Sequence, residues 1–183
     1  MRTHRLLVAA LALVLGASTA LAAGIKSGPQ VDEKLAGPFH PLNINGENAG
    51  QKHCLYCQNG DRPVAMVFAR EVTPETARLI KAIDAANTRN KDSMGSFVVF
   101  LGKNEELEKK LKDLVKENNI KTTILAIDNP GGPEGYKVAR DADVTVVLYR
   151  ERTVKANHAF KRGELKDSGI KAVVADLPKI LEK

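Results

Sequence analysis

The sequence predicts an α/β fold in which a mixed central sheet carries helices on both faces. Two observations lead to this prediction. Short apolar runs rich in β-branched residues alternate with longer stretches whose apolar residues recur at helical spacing, an alternation typical of parallel strands joined by helices. Near the carboxyl terminus, two strand-like runs are separated by only a few polar residues, which predicts an antiparallel hairpin at one edge of the sheet.

Four strands are predicted from apolar runs without a polar alternation, which is the pattern of strands buried on both faces. A fifth follows the polar turn at Arg150-Glu151-Arg152 and completes the hairpin. The five predicted strands cover residues 64–69, 97–101, 122–127, 144–149 and 154–160.

Helices are predicted from apolar periodicity and from their start signals. The clearest start is at Thr73, whose hydroxyl suits an N-cap, followed by Pro74 at the first helical position. The last helical stripe contains Pro178, which is expected to weaken or kink it. The predicted helices cover about residues 74–87, 105–118 and 165–181, with a single helical turn near residues 134–137.

Two stretches resemble the thioredoxin-like superfamily, in its redoxin and alkyl hydroperoxide reductase branch. Residues 64–84 are similar to the first core strand and to the helix that usually carries the reactive cysteine. Residues 124–149 are similar to the strand, short helix and strand that face the active site. The resemblance covers roughly residues 37–183 and implies a thioredoxin-like fold.

The sequence departs from this family at the reactive position. Where the family has its cysteine, this chain reads Thr73-Pro74-Glu75-Thr76, and where thioredoxins have a cis-proline it reads Asp143-Val144-Thr145. Family catalysis therefore does not transfer to these positions. We predict that residues 73–76 act as a helix cap without redox chemistry.

A Cys-x-x-Cys motif, Cys54-Leu55-Tyr56-Cys57, contains the two cysteines of the chain. The short connector to the first strand cannot carry this pair along the strand to the helix at Pro74, so we expect the pair to have an environment of its own. We predict that Cys54 and Cys57 form a disulfide with each other. The neighbouring charges of Lys52 and His53 favour Cys54 as the more reactive sulfur after reduction.

Three interpretations of this pair remain open. In the first, the pair is a redox-active dithiol with Cys54 and Cys57 as catalytic residues. In the second, it is a structural disulfide that anchors the segment before the first strand. In the third, it is part of a metal site. The redox interpretation adds Arg62 to the cations that favour a thiolate. The metal interpretation requires ligands beyond His53, for which the sequence offers His40 and His158.

The amino terminus has the pattern of a secretory signal peptide. Arg2 and Arg5 precede an apolar stretch over residues 6–15, and Ala20-Leu21-Ala22 suits a signal peptidase. We therefore divide the chain into a signal peptide (1–22), an irregular arm that carries the Cys-x-x-Cys motif (23–62) and a thioredoxin-like domain (63–183). The expected location is periplasmic or secreted, and no later stretch is long and apolar enough to span a membrane.

Charge and motif content exclude several functions. The chain has 183 residues and a formal charge of +6, but its lysines alternate with acidic residues and lack interleaved aromatics, which argues against nucleic-acid binding. Gly131-Gly132 lacks the spacing of a phosphate loop, and no cofactor is predicted. The sequence thus favours an exported thiol–disulfide oxidoreductase with protein thiol partners. The alternative is a catalytically inactive binding module with a structural Cys54–Cys57 disulfide.

Overall fold

The computed structural model describes residues 24–103 and 105–181. The predicted signal peptide lies outside the described residues. The strands are β1 (Leu42–Asn43), β2 (Val64–Ala69), β3 (Gly95–Leu101), β4 (Ile124–Asp128), β5 (Val144–Arg150) and β6 (Thr153–Phe160). The helices are α1 (Leu55–Asn59), α2 (Pro74–Arg89), α3 (Glu105–Glu117), α4 (Asp167–Asp176) and α5 (Pro178–Leu181).

The six strands form one mixed sheet in the order β1-β4-β3-β2-β5-β6. β2, β3 and β4 run parallel to one another, whereas β1 is antiparallel to β4, β5 is antiparallel to β2 and β6 is antiparallel to β5. The register aligns Val67 of β2 with Val98 on one side and Val146 on the other. This arrangement confirms the predicted mixed α/β sheet and its antiparallel hairpin.

Alternate residues of the central strands enter two apolar clusters, one on each face of the sheet. The first core contains Val67 and lies under α2, α3, α4 and α5. The second core contains Met66 and Phe68 and is covered by α1 and by irregular chain on the opposite face. Because β2, β3 and β4 succeed one another in one direction across the sheet, right-handed crossovers place α2 and α3 on the same face. Helices therefore cover both faces, but unequally.

The segment before β2 is packed into the molecule at several points. β1 pairs with the end of β4 as an additional edge strand. The Asn45 amide accepts a hydrogen bond from the Leu125 N–H at 2.7 Å and donates one to the Thr123 carbonyl at 3.0 Å. Phe39 enters the second core, where its ring lies 5.0 Å from that of Tyr136. These contacts place residues 39–45 against both the edge and one face of the sheet.

The predicted helical turn near residues 134–137 is wrong. Gly135 and Lys137 both have positive φ values, 79° and 53°, which a right-handed helix does not allow. The segment instead forms a turn that buries Tyr136, whose hydroxyl donates to the Gly37 carbonyl at 2.7 Å.

The other differences are at element ends. The last helical stretch divides into α4 and α5 at Pro178, which has no N–H to continue the helix. The β5–β6 turn uses Glu151 and Arg152, both with positive φ, as the twist of a two-residue hairpin requires. Within the described ranges, no helix combines the length and the hydropathy needed to cross a bilayer.

Candidate functional site

The two cysteines form a disulfide at the beginning of α1. Their Cα atoms are 5.2 Å apart. Cys54 is the N-cap residue, and its Sγ accepts a hydrogen bond from the Cys57 N–H at 3.1 Å. Residues three apart are neighbours on a helical turn, so this spacing brings the two side chains together. The predicted pairing of Cys54 with Cys57 is confirmed.

The disulfide is buried on one side and open on the other. Cys54 is only 6% exposed and belongs to the second core together with Leu55 and Tyr56. Cys57 and Gln58, by contrast, are exposed. The difference arises because α1 rests on the sheet through Leu55 and Tyr56, so Cys57 points away from that contact. The accessibility of the two sulfurs therefore favours reaction at Cys57, whereas the neighbouring charges favour Cys54 as the more reactive sulfur.

A surface cavity of about 440 Å³ adjoins the disulfide. The backbone holds its wall in place: Lys52 bridges to Leu42, and the His53 N–H donates to the Pro41 carbonyl at 3.1 Å. The cavity is therefore lined by basic and imidazole side chains next to the sulfurs. Its lining residues are His40, Lys52, His53, Cys54, Cys57 and Gln58.

Arg62, proposed as a cation that favours the thiolate, and His158, proposed as a metal ligand, are not among the residues that line this cavity. The Arg62 guanidinium donates to the Met94 carbonyl at 2.7 Å, beside the start of β3. His158 lies on β6, where its Nε2 is 3.0 Å from a carboxylate oxygen of Asp176. Among the described residues, no group of three or more histidines, cysteines and acidic residues is arranged to hold a metal ion.

The position of the family's reactive cysteine is occupied by a helix cap. Thr73 accepts a hydrogen bond from the Thr76 N–H at 3.1 Å, and the two hydroxyl oxygens are 2.9 Å apart. Thr76 is buried. No cis peptide bond occurs in the described ranges, including at Asp143-Val144. The predicted role of residues 73–76 as a cap is confirmed.

Charged groups near this cap have structural partners. The Arg70 guanidinium donates to the carbonyls of Pro130, Ala139 and Ala142, and so holds the loop before β5. Burial, aided by the neighbouring Glu71 carboxylate, raises the pKa of Asp143. Arg70 thus fixes the backbone of that loop against the end of β2.

The disulfide and the Thr73 cap lie on different faces of the sheet. α1 packs in the second core and α2 in the first. The end of α1 lies at the amino end of β3, where a Cβ atom on Gly95 would be 1.9 Å from the Asn59 side-chain oxygen. A larger residue at this position would require the Asn59 side chain to move. Thr73, by contrast, follows the carboxyl end of β2. The pair thus has a setting of its own, as the short connector predicts.

No family model matches the sequence, and no curated protein matches it. Solved structures match over most of the chain. A proposed protein disulfide isomerase from Bacteroides thetaiotaomicron has a TM-score of 0.65 at 15% identity, covering 87% of this chain and 96% of its own. Peroxidoxin BcpB from Mycobacterium tuberculosis has a TM-score of 0.57 at 15% identity, covering 85% and 98%.

A secreted disulfide oxidoreductase of Mycobacterium tuberculosis, homologous to Escherichia coli DsbE, has a TM-score of 0.53 at 10% identity and covers 76% of this chain and 94% of its own. The chain therefore has the thioredoxin-like fold.

Proposed function

We propose that this protein is an exported thiol–disulfide oxidoreductase whose catalytic residues are Cys54 and Cys57. The observation that carries the proposal is a disulfide with one exposed member, Cys57, beside an open cavity. Exchange requires a thiolate to reach one sulfur of the disulfide. A disulfide enclosed on both sides would not permit this approach.

The surroundings of the disulfide suit its proposed partner, the thiolate of a protein. Lys52 is exposed on the cavity wall and supplies a positive charge where a thiolate approaches. The Cys57 N–H already donates to the Cys54 sulfur, and the same hydrogen bond stabilises a Cys54 thiolate after reduction. The site therefore supports both the approach of the partner and the reduced form.

Export is proposed on the signal-peptide pattern of residues 1–22. An oxidising compartment is also where a disulfide persists. Among the structural neighbours, the Mycobacterium tuberculosis oxidoreductase is described as secreted. Mass spectrometry of the protein recovered from the producing cell should find a mature amino terminus at Ala23, and an intact Met1 terminus on all of the protein would contradict export by this route.

The decisive experiment for the redox role is the reduction potential of the pair, combined with an exchange assay on a reduced, unfolded protein. We expect a potential above about −300 mV, the value below which structural disulfides lie. We also expect the wild-type protein to promote disulfide formation in the substrate and the Cys54→Ser, Cys57→Ser double variant to do so no faster than buffer. A potential well below that value without exchange would refute the proposal.

One observation favours the second candidate, a catalytically inactive binding module. Cys54 belongs to the second core, so the disulfide also attaches α1 to the sheet. A four-residue disulfide loop stabilises a fold by only about 2 kcal/mol through the unfolded state. If the pair is only structural, its removal will lower stability by about this amount while the wild-type protein shows no exchange.

A further inference from the structure

We propose that Cys57 is the sulfur that forms the mixed disulfide with the partner, and that Cys54 is the buried sulfur that leaves and later resolves it. This inference rests on the proposed function and assigns the two sulfurs of its site to different steps. It is opposite to the assignment that the charges of Lys52 and His53 suggest from the sequence.

Access is the first argument for Cys57. A thiolate attacks a disulfide along the line of the two sulfurs, so the attacked sulfur needs open space on the side away from its partner. Cys57 is exposed, whereas Cys54 is 6% exposed within the second core. Cys54 also borders the cavity, but its packing with Leu55 and Tyr56 in the second core leaves little of it open to an attacking thiolate. An attack on Cys57 comes from solvent.

Stabilisation of the leaving group is the second argument. The sulfur that leaves departs as a thiolate, and it leaves faster when that thiolate is stabilised. The Cys54 sulfur already accepts the Cys57 N–H at 3.1 Å. Lys52 and His53 precede Cys54 and line the same cavity, so positive charge lies near it. Charge and the hydrogen bond favour departure of the Cys54 thiolate against the desolvation that burial imposes, and the same burial protects the sulfur from external attack.

The exchange can be written with its electrons balanced. A thiolate of a protein dithiol attacks the Cys57 sulfur, a new sulfur–sulfur bond forms, and the bond to Cys54 breaks with its electron pair on Cys54. The partner's second thiolate then attacks the partner sulfur that is bonded to Cys57. This step forms the partner's disulfide and releases Cys57 as a thiolate. The partner is oxidised to a disulfide and this protein is reduced to a dithiol. In the reverse direction, Cys57 attacks the partner's disulfide and Cys54 resolves the intermediate.

The inference is tested on the sulfurs one at a time. The variants Cys54→Ser and Cys57→Ser each retain a single cysteine and are reacted with oxidised glutathione as the probe. We expect Cys57, in Cys54→Ser, to be glutathionylated at least about tenfold faster than Cys54, in Cys57→Ser, because Cys54 reacts only after local opening. Circular dichroism and thermal unfolding check that both variants are folded to the same extent.

A second measurement uses the wild-type protein and does not depend on the variants. The oxidised protein is exposed briefly to excess reduced glutathione, quenched with acid and mapped by mass spectrometry. We expect the glutathione adduct on Cys57. An adduct mainly on Cys54, or equal reactivity of the two sulfurs, would overturn the assignment.

The two proposals fail in different ways. An adduct on Cys57 without exchange on protein substrates would refute the oxidoreductase function and leave the assignment of the sulfurs standing. Exchange that proceeds through Cys54 would refute the assignment and leave the function standing.

Discussion

The amino ends of α1 and α2 have the same cap geometry and different chemistry. In α2, the Thr73 hydroxyl accepts the N–H three residues later at 3.1 Å. In α1, the Cys54 sulfur accepts the N–H three residues later at the same distance, 3.1 Å. The first cap stands where the fold usually carries its reactive cysteine, and the second lies on the opposite face of the sheet. A helix cap therefore supports redox chemistry only when its side chain is a thiol.

The two helices also differ in what holds them. α2 has 16 residues and buries Leu79, Ile80 and Ile83 in the first core. α1 has five residues and depends on Leu55, Tyr56 and the disulfide for its contact with the sheet. Removing a cap from α2 should therefore change stability alone, whereas changes in α1 should alter reactivity first.

The largest expected effect is on thiol–disulfide exchange, and it comes from a substitution in α1. Replacing Cys57 with serine should reduce exchange with a protein thiol to the uncatalysed rate, because no disulfide can form. The assay is the oxidation of a reduced, unfolded protein. The matched change in the other cap is Thr73→Ser, which keeps a hydroxyl and should leave exchange at the wild-type rate. Equal loss in both variants would show that the two caps are functionally linked.

The next largest effect is on stability, and it concerns the hydrogen bonds by which Asp84 attaches α2 to the segment before β4. The Asp84 carboxylate accepts the N–H groups of Lys121, Thr122 and Thr123, at 2.8 Å for the last two. Hydrogen bonds to a charged group contribute about 1.5–3 kcal/mol each, and a buried donor left without its partner adds a further cost. We expect Asp84→Ala to lower the free energy of unfolding by at least about 3 kcal/mol in chemical denaturation. A change below about 0.5 kcal/mol, the range of an ordinary surface substitution, would contradict this role.

The same carboxylate predicts a pH dependence. Burial raises the pKa of Asp84, but the hydrogen bonds from Thr122, Lys121 and Thr123 outweigh it and lower the pKa overall. The folded pKa therefore lies below the unfolded value of about 3.9. The stabilisation is complete above the unfolded pKa and is lost as the pH falls through the folded pKa. Denaturation between pH 2 and 6 should show a smaller loss of stability on acidification in Asp84→Asn than in the wild type.

A smaller effect is expected at the Thr73 cap. Thr73→Ala removes the acceptor of the Thr76 N–H and should cost about 1 kcal/mol of stability, with exchange unchanged. Thr88→Ala makes the same substitution at an exposed position of α2, where it removes one solvent-exposed hydrogen bond of 3.3 Å to the Thr122 hydroxyl, and should change stability by less than about 0.5 kcal/mol. Thermal unfolding of the two variants gives the comparison, and equal values would mean that the cap contributes nothing.

The smallest effect concerns Lys52 on the cavity wall. Lys52→Gln removes one exposed charge near the disulfide and should slow the reaction with an anionic thiol about twofold at low salt, with the difference disappearing at high salt. Lys155→Gln, at an exposed position on β6, is the control and should have no effect. A difference that persists at high salt would indicate that Lys52 acts through packing.

Much of the fold was predictable from local patterns. β2 is predicted with its observed ends because six consecutive apolar residues are buried on both faces. α2 begins at the predicted residue because Thr73 and Pro74 form a local start signal. The turn at Tyr136 was not predictable, since its positive φ values serve to bury a ring against Phe39 and Phe68 from distant segments. The position of Arg62 likewise depends on Met94, a residue that is remote in the chain.

The sequence by itself determined the order of strands β2 to β6 and of helices α2, α3 and α4, the cap at Thr73 and the pairing of the two cysteines, because these depend on residues close together in the chain. Only the tertiary structure decided that Cys54 is buried and Cys57 exposed, and that His40 joins Lys52 and His53 around the cavity. The physical reason is that burial depends on which side of α1 rests against the sheet. That contact is made with residues far away in the chain, and neighbouring charges do not encode it.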